Sequence, residues 1–455
     1  MSFILGAGVT SFVLFYFLLF GARLSYATII ALAGLSLFCV RISKAHLLLQ
    51  YESEKTSSDT NKEFFSLKFF ADLFLLLAIG VGIALISLNV IYTPLWDIDS
   101  FALWGLKAKV LYLSSLSKTE YFYREELGFS HLDYPLLMPL LSAGIYACYG
   151  EVCETAGKIL CIPLSISIVF LLLSYASRRN IFLALLITAL YSTLPAFLHW
   201  AGVGTAEIWL LGFYFVMLYF SLEFLTDKSW CNAQTGLASV EQTVGKKGCV
   251  LSSTSSISSL DRTSSPWRNK PSRGKDAEPL SEGNKSSRDG EIKILALVFL
   301  SALFLSFTKN EGLPISIIVL MTLVLFSVYK YGIKILRLHF VFWMLLFLAF
   351  LPWLYWSYDI PRIHENYPAQ IKNIFLMEHI KRLPNILKAF GAQVINLNRW
   401  GIFWLLTVIA CVWNFKCWEV KFLLAVMVLH LGMYIFIFTI SPWDTEYLAV
   451  SALER

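Results

Sequence analysis

The chain has 455 residues, of which 57% are hydrophobic and 15% are charged, and its mean hydropathy is +0.65. Because soluble domains carry about 25% charged residues, this composition excludes a soluble enzyme and a nucleic-acid-binding protein. Eight Cys residues in a chain of this length also exclude a secreted disulfide scaffold. The sequence therefore predicts an all-α, multi-pass membrane protein, in which the side of the membrane that Lys and Arg occupy matters more than the net charge of +6.

Eleven apolar runs are long enough to be transmembrane helices, since about 17 to 25 residues cross ~30 Å of hydrocarbon. They lie near residues 3–21, 24–40, 69–92, 157–175, 181–198, 206–225, 292–308, 313–329, 339–356, 400–415 and 421–440. The first two runs predict a helical hairpin, and the basic residues up to position 68 place the following loop in the cytoplasm. Residues 1–68 are thus a predicted N-terminal unit, and the long loop at 95–133 is predicted to be extracytoplasmic, with juxtamembrane helices.

Residues 134–150 form a further apolar run, which we interpret differently. The run has 17 residues, the lower limit for a span, and contains Pro135 and Pro139 in its opening turns. We expect a helix that lies in or dips into the outer leaflet without crossing it. Under this topology residues 357–399, with six basic side chains, are also extracytoplasmic, against the positive-inside preference.

Residues 227–291 differ in composition from the rest of the chain, because they are rich in Ser and charged residues. Such a segment buries too little apolar surface to offset its conformational entropy. We therefore predict a disordered cytoplasmic loop between an N-terminal part of the membrane core, residues 69–226, and a C-terminal part, residues 292–455.

Two acids open the first extracytoplasmic loop, in the sequence TPLWDIDSFALWGLKAK. Asp97 and Asp99 are two residues apart, so that in an extended chain both carboxylates point the same way. Such a pair acts as a general base or binds a divalent cation, and the alternative is a solvated acidic loop. Lys107 follows on a predicted juxtamembrane helix, where it binds either a phosphate or lipid headgroups.

Further charged residues lie at the ends of predicted spans. His131 and Asp133 precede a proline in HLDYP and close the loop that the acids open. Glu207 lies at the outer end of the span 206–225. Lys309 and Glu311 belong to TKNEGLP, between two apolar runs with little room for a loop, where they form a structural ion pair or Lys309 binds an anion.

The order and spacing of these motifs resemble the GT-C superfamily of integral membrane glycosyltransferases, especially the branch that contains protein O-mannosyltransferases and the lipid A aminoarabinose transferase. The resemblance covers residues 69–400 and rests on WDID, HLDYP, the helix at 134–150, the acid at 207 and TKNEG. The branch usually has Asp-Glu in place of Asp97-Ile98-Asp99 and often Lys-Pro in place of Tyr134-Pro135.

The resemblance implies transfer of a sugar from a polyprenyl-phosphate donor to a glycan, lipid or protein acceptor, at the extracytoplasmic face of the cell (inner) membrane, as part of cell-envelope assembly. Asp97 is then the expected general base and Asp99 its orienting partner. Substrate binding is expected from Lys107, His131, Asp133, Glu207, Lys309 and Glu311. No cofactor is obligatory, although Asp97 and Asp99 are compatible with a shared divalent cation. Membrane lipids are the other expected partners, and no nucleic acid is expected.

Two other functions fit a multi-pass membrane protein. A transporter or flippase of a lipid-linked or small solute has ionisable residues near the middle of its spans, whereas the candidate acids of this chain cluster near one membrane face. A non-catalytic scaffold in envelope assembly does not depend on Asp97.

Overall fold

The structure, a computed structural model, describes residues 1–21, 23–26, 28, 30, 31, 33–35, 67–178, 180–226, 282–362 and 370–441. Every regular element among these residues is a helix, and no strand occurs among them. The helices are α1 (Ser2–Leu19), α2 (Leu67–Tyr92), α3 (Leu106–Leu113), α4 (Leu137–Tyr149), α5 (Glu154–Lys158), α6 (Cys161–Ser177), α7 (Ile181–Ser192), α8 (Pro195–Val203), α9 (Ala206–Thr226), α10 (Glu282–Ser306), α11 (Gly312–Tyr331), α12 (Leu336–Ser357), α13 (Met377–Ile380), α14 (Leu383–Val394), α15 (Leu397–Trp400), α16 (Phe403–Trp413) and α17 (Trp418–Ile440).

Seven helices in the described part of the chain are long and apolar enough to cross a membrane. They lie at Ser2–Leu19, Lys68–Tyr92, Glu154–Ser177, Ala206–Thr226, Gly312–Tyr331, Ile333–Ser357 and Trp418–Ile440, where seven of the predicted spans were placed. A helical membrane protein, predicted from the apolar runs, is therefore confirmed.

The remaining four predicted spans have other outcomes. The span 181–198 is the pair α7 and α8, which is bent by 59° and is either one broken span or a re-entrant loop. Helix α16 has 11 residues and so covers about 16 Å, too little to cross ~30 Å of hydrocarbon. The run 292–308 lies in α10 as far as Ser306 and ends in the turn that follows. The run 24–40 falls partly outside the described residues, although those described between 24 and 35 are helical.

One end of the bundle carries the segment 93–136 and the turn 307–311, and we call it the loop end. Several contacts place the helix termini there together. Lys309, just after α10, bonds Glu207 at the start of α9, and Lys118 of the long segment donates to the backbone oxygen of Trp356 at the end of α12. Helices α9, α10 and α12 therefore have one terminus each at the loop end.

Helix α1 crosses the bundle at the loop end instead of running along it. Near its N-terminus, Phe3 lies 6.5 Å from the Trp209 ring, in the first turn of α9. Near its C-terminus, Phe15 lies 6.1 Å from Trp356, in the last turn of α12, and between them Phe12 contacts Phe307 at the end of α10. Both ends of this helix, about 27 Å long, thus meet the same end of the bundle. Helix α1 is long and apolar enough to be a membrane span, as the predicted hairpin requires, and composition does not give its direction within the bundle.

Helix α4 corresponds to the apolar run 134–150, and it has 13 residues, about 20 Å. It is too short to cross a membrane, as predicted, but most of its residues are buried against protein and not against lipid. Ser11 of α1 donates a hydrogen bond to the backbone oxygen of Leu137 at 2.9 Å, which fixes the start of α4.

Helix α10 begins at Glu282, within the predicted disordered loop 227–291. The rest of that loop, residues 227–281, lies outside the described residues. The described part of residues 1–68 packs in the same core as the later helices, because Leu5, Phe15 and Leu24 belong to it.

Candidate functional site at the loop end

A buried lysine holds the entry to the long segment 93–136. Lys158 of α5 is 1% exposed, and its ammonium lies 3.0 Å from Thr93 Oγ1 and 3.5 Å from the backbone oxygens of Asn89 and Pro94. These carbonyls belong to the last turn of α2 and the residues after it, where a helix leaves acceptors unsatisfied. Lys158 therefore fixes the point at which the chain leaves α2 and turns toward Asp97.

Asp97 and Asp99 lie at the start of a π-helical segment, Asp99–Gly105, that leads directly into α3. Asp97 Oδ1 accepts the backbone amide of Asp99 at 2.9 Å, and its backbone oxygen accepts the Ser100 hydroxyl at 2.7 Å. Asp99 is 7% exposed, whereas Asp97 is half-buried. The sequence predicted an extended chain in which both carboxylates point the same way. The backbone is instead helical at Ile98, between the two acids, so this arrangement does not form. Asp97 is the carboxylate that a solvent-borne molecule can reach.

Lys107 is fully buried in an aromatic environment. Its ammonium lies 5.6 Å from the Trp104 ring centre and 5.4 Å from that of Tyr134, and it donates to the backbone oxygen of His131 at 2.5 Å. Burial lowers the pKa of Lys107 from 10.5 to about 7, and the nearby Asp133 carboxylate opposes this effect. In this conformation Lys107 holds the HLDYP turn and is not open to a phosphate or a lipid headgroup.

The other lysine of α3 points elsewhere. Lys109 forms an ion pair with Glu154 at 2.5 Å, with both side chains about one-third exposed. Residues 107 and 109 are about 200° apart around a helix, which explains why only one of them faces the interior.

The HLDYP turn brings three side chains to the turn 307–311. His131 has a left-handed backbone with φ 45°, and its ring lies 4.6 Å from that of Tyr134. Asp133 Oδ2 accepts the side-chain amide of Asn310 at 3.1 Å. Tyr134 is 3% exposed. Its ring centre lies 5.9 Å from the Lys309 ammonium and 5.4 Å from the Lys107 ammonium. Tyr134 is therefore the ring against which two cations from distant segments pack.

The turn 307–311 is unusually tight. A Cβ atom on Gly312 would lie 1.9 Å from the Leu305 backbone oxygen, so that only glycine permits this approach. The backbone oxygen of Phe307 also accepts the amide of Leu137 at 3.3 Å. Both contacts fix where the charged residues of TKNEG lie.

Lys309 is held between two carboxylates. Its ammonium lies 3.2 Å from Glu207 Oε1 and 3.1 Å from Glu311 Oε1. The side chains of Lys309 and Glu207 are 11% exposed, and that of Glu311 is 24% exposed. We call this group the ion triad, and its net formal charge is −1. The predicted pair of Lys309 and Glu311 is present, and Glu207 joins it from the start of α9.

Three aromatic side chains of helices α9 and α17 lie next to the ion triad, on the side away from the loop end. Tyr434 of α17 is close enough to interact with the charges of all three triad residues and with Tyr214 of α9. His430, one turn before Tyr434, stacks on it at 5.1 Å and contacts Tyr214 at 5.7 Å. His430 Nε2 is buried and has no hydrogen-bond partner among the residues that the structure describes. A polar row thus leads from the ion triad into the helices.

The described residues contain no group of three or more His, Cys, Asp or Glu side chains that could hold a metal ion. No family model, curated protein or solved structure matches the chain.

The loop end therefore unites most of the predicted site residues in two connected groups. One joins Lys107, His131 and Asp133 around Tyr134, and the other is the ion triad, which Asn310 and Tyr134 connect to the first. Asp97 and Asp99 lie at the start of the helix that carries Lys107.

Sequence reasoning missed several residues of this region. Tyr134 and Asn310 adjoin predicted site residues in HLDYP and TKNEG, so their positions in the motifs were the available signal. Lys158 had the appearance of an ordinary charge at a span boundary, and His430 that of an isolated polar residue in an apolar run.

Proposed function

We propose that the chain is a membrane glycosyltransferase that moves a sugar from a polyprenyl-phosphate donor to an acceptor on the extracytoplasmic side. The proposal includes the predicted topology, with the loop end facing outward. It rests on the resemblance of WDID, HLDYP and TKNEG to the GT-C superfamily.

The observation that carries the proposal is the meeting of HLDYP, the start of α9 and TKNEG at one end of the bundle. These segments are separated by 70 to 180 residues in the sequence, yet Asp133 bonds Asn310, and Glu207 bonds Lys309. Half-buried charges at the ends of apolar helices suit a reaction in which a lipid-linked donor arrives from the membrane and an acceptor arrives from water.

In the proposed reaction Asp97 is the general base. Its partly exposed carboxylate takes the proton of the acceptor hydroxyl as the oxygen attacks the anomeric carbon of the donor sugar. The bond from that carbon to the phosphate oxygen breaks, and the polyprenyl phosphate leaves with the electron pair. Lys309 stabilises the charge on the leaving phosphate only if it exchanges one of its two carboxylate partners for the phosphate.

Transfer from radiolabelled polyprenyl-phosphate sugars by the purified protein, parent against Asp97→Asn, tests the proposal. We expect the variant to fold and to bind donor, and to lose transfer by about 10² to 10⁴, the usual loss for a positioned base. Glu125→Gln, at an exposed acid in the same loop, is the matched control and keeps parental activity. Parental activity in Asp97→Asn, Asp99→Asn, Asp133→Asn and Glu207→Gln alike refutes the enzyme.

One observation favours the alternative, a transporter or flippase. The polar row of Tyr214, His430 and Tyr434 continues from the ion triad into the helices, and ionisable residues inside spans are typical of transport pathways. Transport predicts that His430→Leu abolishes flux of a lipid-linked or small solute in proteoliposomes. The glycosyltransferase predicts that the same variant retains sugar transfer in detergent.

A further inference from the structure

The segment 370–400 is both basic and apolar on its surface. It contains five basic residues, Lys372, Lys381, Arg382, Lys388 and Arg399, and one acid, Glu378. Several large apolar side chains of the same segment are exposed, including Phe375 at 83%, Met377 at 65%, Ile395 at 75% and Leu397 at 68%. The segment belongs to neither group of the candidate site.

The depth of this segment is fixed by the end of α17. His379 Nδ1 lies 2.9 Å from the backbone oxygen of Thr439, Asn373 donates to that of Ile440 at 3.2 Å, and Arg382 donates to that of Ser441 at 3.1 Å. Three side chains of the segment thus bond the last carbonyls of a candidate span, which a helix end otherwise leaves unsatisfied. The segment therefore lies where a span leaves the apolar part of a membrane.

Helix α14 shows which way the segment faces. It is strongly amphipathic, and Ile386 and Phe390 pack against Phe438 of α17. Leu387 and Val394 lie on the same apolar side of the helix but are 48% and 37% exposed. Lys388 is exposed and lies about 160° around the helix from Phe390, on the polar side. An amphipathic helix with lysine on its polar side and a partly uncovered apolar side is typical of the membrane interface.

We propose that residues 370–400 are a membrane-surface platform, which inserts its exposed apolar side chains into the lipid at the loop end and binds the anionic headgroups of phospholipids with Lys372, Lys381 and Lys388. The charge of the segment selects the partner. Zwitterionic lipid offers no net charge to five cations and one anion, whereas anionic headgroups attract each nearby lysine. In the proposed topology the basic residues of 370–400 are extracytoplasmic, against the positive-inside preference, and binding of anionic lipid explains why they are there.

Photocrosslinking of the full-length protein in nanodiscs tests the platform. One nanodisc preparation carries a photoreactive phosphatidylglycerol and the other a photoreactive phosphatidylcholine, and the crosslinked peptides are mapped by mass spectrometry. We expect phosphatidylglycerol crosslinks in peptides from 370–400 to exceed those of phosphatidylcholine, and to fall as salt is raised.

The triple variant Lys372→Gln, Lys381→Gln, Lys388→Gln should lose this preference. Each lysine near an anionic surface contributes about a five-fold increase in affinity, so three together amount to about a hundred-fold. The triple variant with Arg at the same positions keeps the charge and should keep the preference. Both variants change exposed side chains and should retain the parental melting temperature. Equal crosslinking by the two lipids, or an unchanged preference in the Gln variant, overturns the proposal.

Discussion

Replacement of Lys107 by Met should change how the stability of the protein depends on pH. The ammonium of Lys107 is fully buried, and its pKa is lowered to about 7 from 10.5 in the unfolded chain. Between pH 7 and 10.5, Lys107 is protonated in the unfolded chain and deprotonated in the folded protein. The free energy of unfolding of the parent therefore rises as the pH increases from 7 toward 10.5.

The size of the effect follows from the same two values. One pKa unit corresponds to about 1.4 kcal/mol, so that a charged Lys107 destabilises the folded protein by about 5 kcal/mol below pH 7. Met removes this penalty but also removes the hydrogen bond to the backbone oxygen of His131, whose loss costs about 1 to 3 kcal/mol. Lys107→Met should thus be more stable than the parent at pH 6 and less stable at pH 10.

The assay is unfolding of the purified protein in mixed micelles between pH 6 and 10, followed by Trp fluorescence. Lys109→Met is the matched control on the same helix, because Lys109 is partly exposed and pairs with Glu154. This control should differ from the parent by at most ~1 kcal/mol, with a parallel dependence on pH. If the curves of the parent and Lys107→Met also run parallel, the ammonium is not buried as described and the reasoning fails.

Three other predictions concern separate regions. The double variant Lys309→Glu, Glu311→Lys should have a lower melting temperature than the parent, because Glu207 then faces a glutamate at 309. A parental melting temperature would show that Glu207 contributes nothing and that only the pair of Lys309 and Glu311 stabilises the fold. Gly8→Ala should destabilise the protein by about 1 to 3 kcal/mol, since the added Cβ would lie 2.3 Å from the Phe304 ring, whereas Gly80→Ala, with open space around it, should be neutral or stabilising. The same unfolding assay compares the two variants, and equal effects would contradict the packing of α1. Deletion of the middle of the Ser-rich loop should leave expression and membrane insertion intact, and a reporter placed there should give a cytoplasmic signal; an external signal would invert the proposed topology.

Hydropathy predicted the positions of most long helices, because each is apolar on all sides and ends near a charged or turn residue. Helices α2, α9, α11 and α17 begin and end within a few residues of the predicted spans. The HLDYP and TKNEG motifs were also recognisable as site segments, since their charges adjoin apolar runs that leave little room for a loop.

Contacts between distant segments could not be predicted in this way. Lys309 had one neighbour of opposite charge in the sequence, and the second carboxylate, Glu207, comes from 102 residues away. Lys107 was expected at a phosphate or a headgroup, but its depth depends on Trp104 and Tyr134 closing over it, which periodicity does not reveal. The direction of α1, across the end of the bundle, could not be predicted either, because hydropathy measures how apolar a helix is and carries no information about its direction.

The path of α1 has a consequence for the order in which the protein is made. Phe3 and Phe15 leave the ribosome before their ring partners Trp209 and Trp356, which follow about 200 and 340 residues later. At ~5 to 20 residues per second, α1 waits on the order of 20 to 70 s before its last partner has been synthesised. Until its own partner has been synthesised, each aromatic side chain of α1 has to be covered by lipid or by the insertion machinery. The loop end therefore cannot be complete until the C-terminal end of α12 has been synthesised, although α1 is translated long before it.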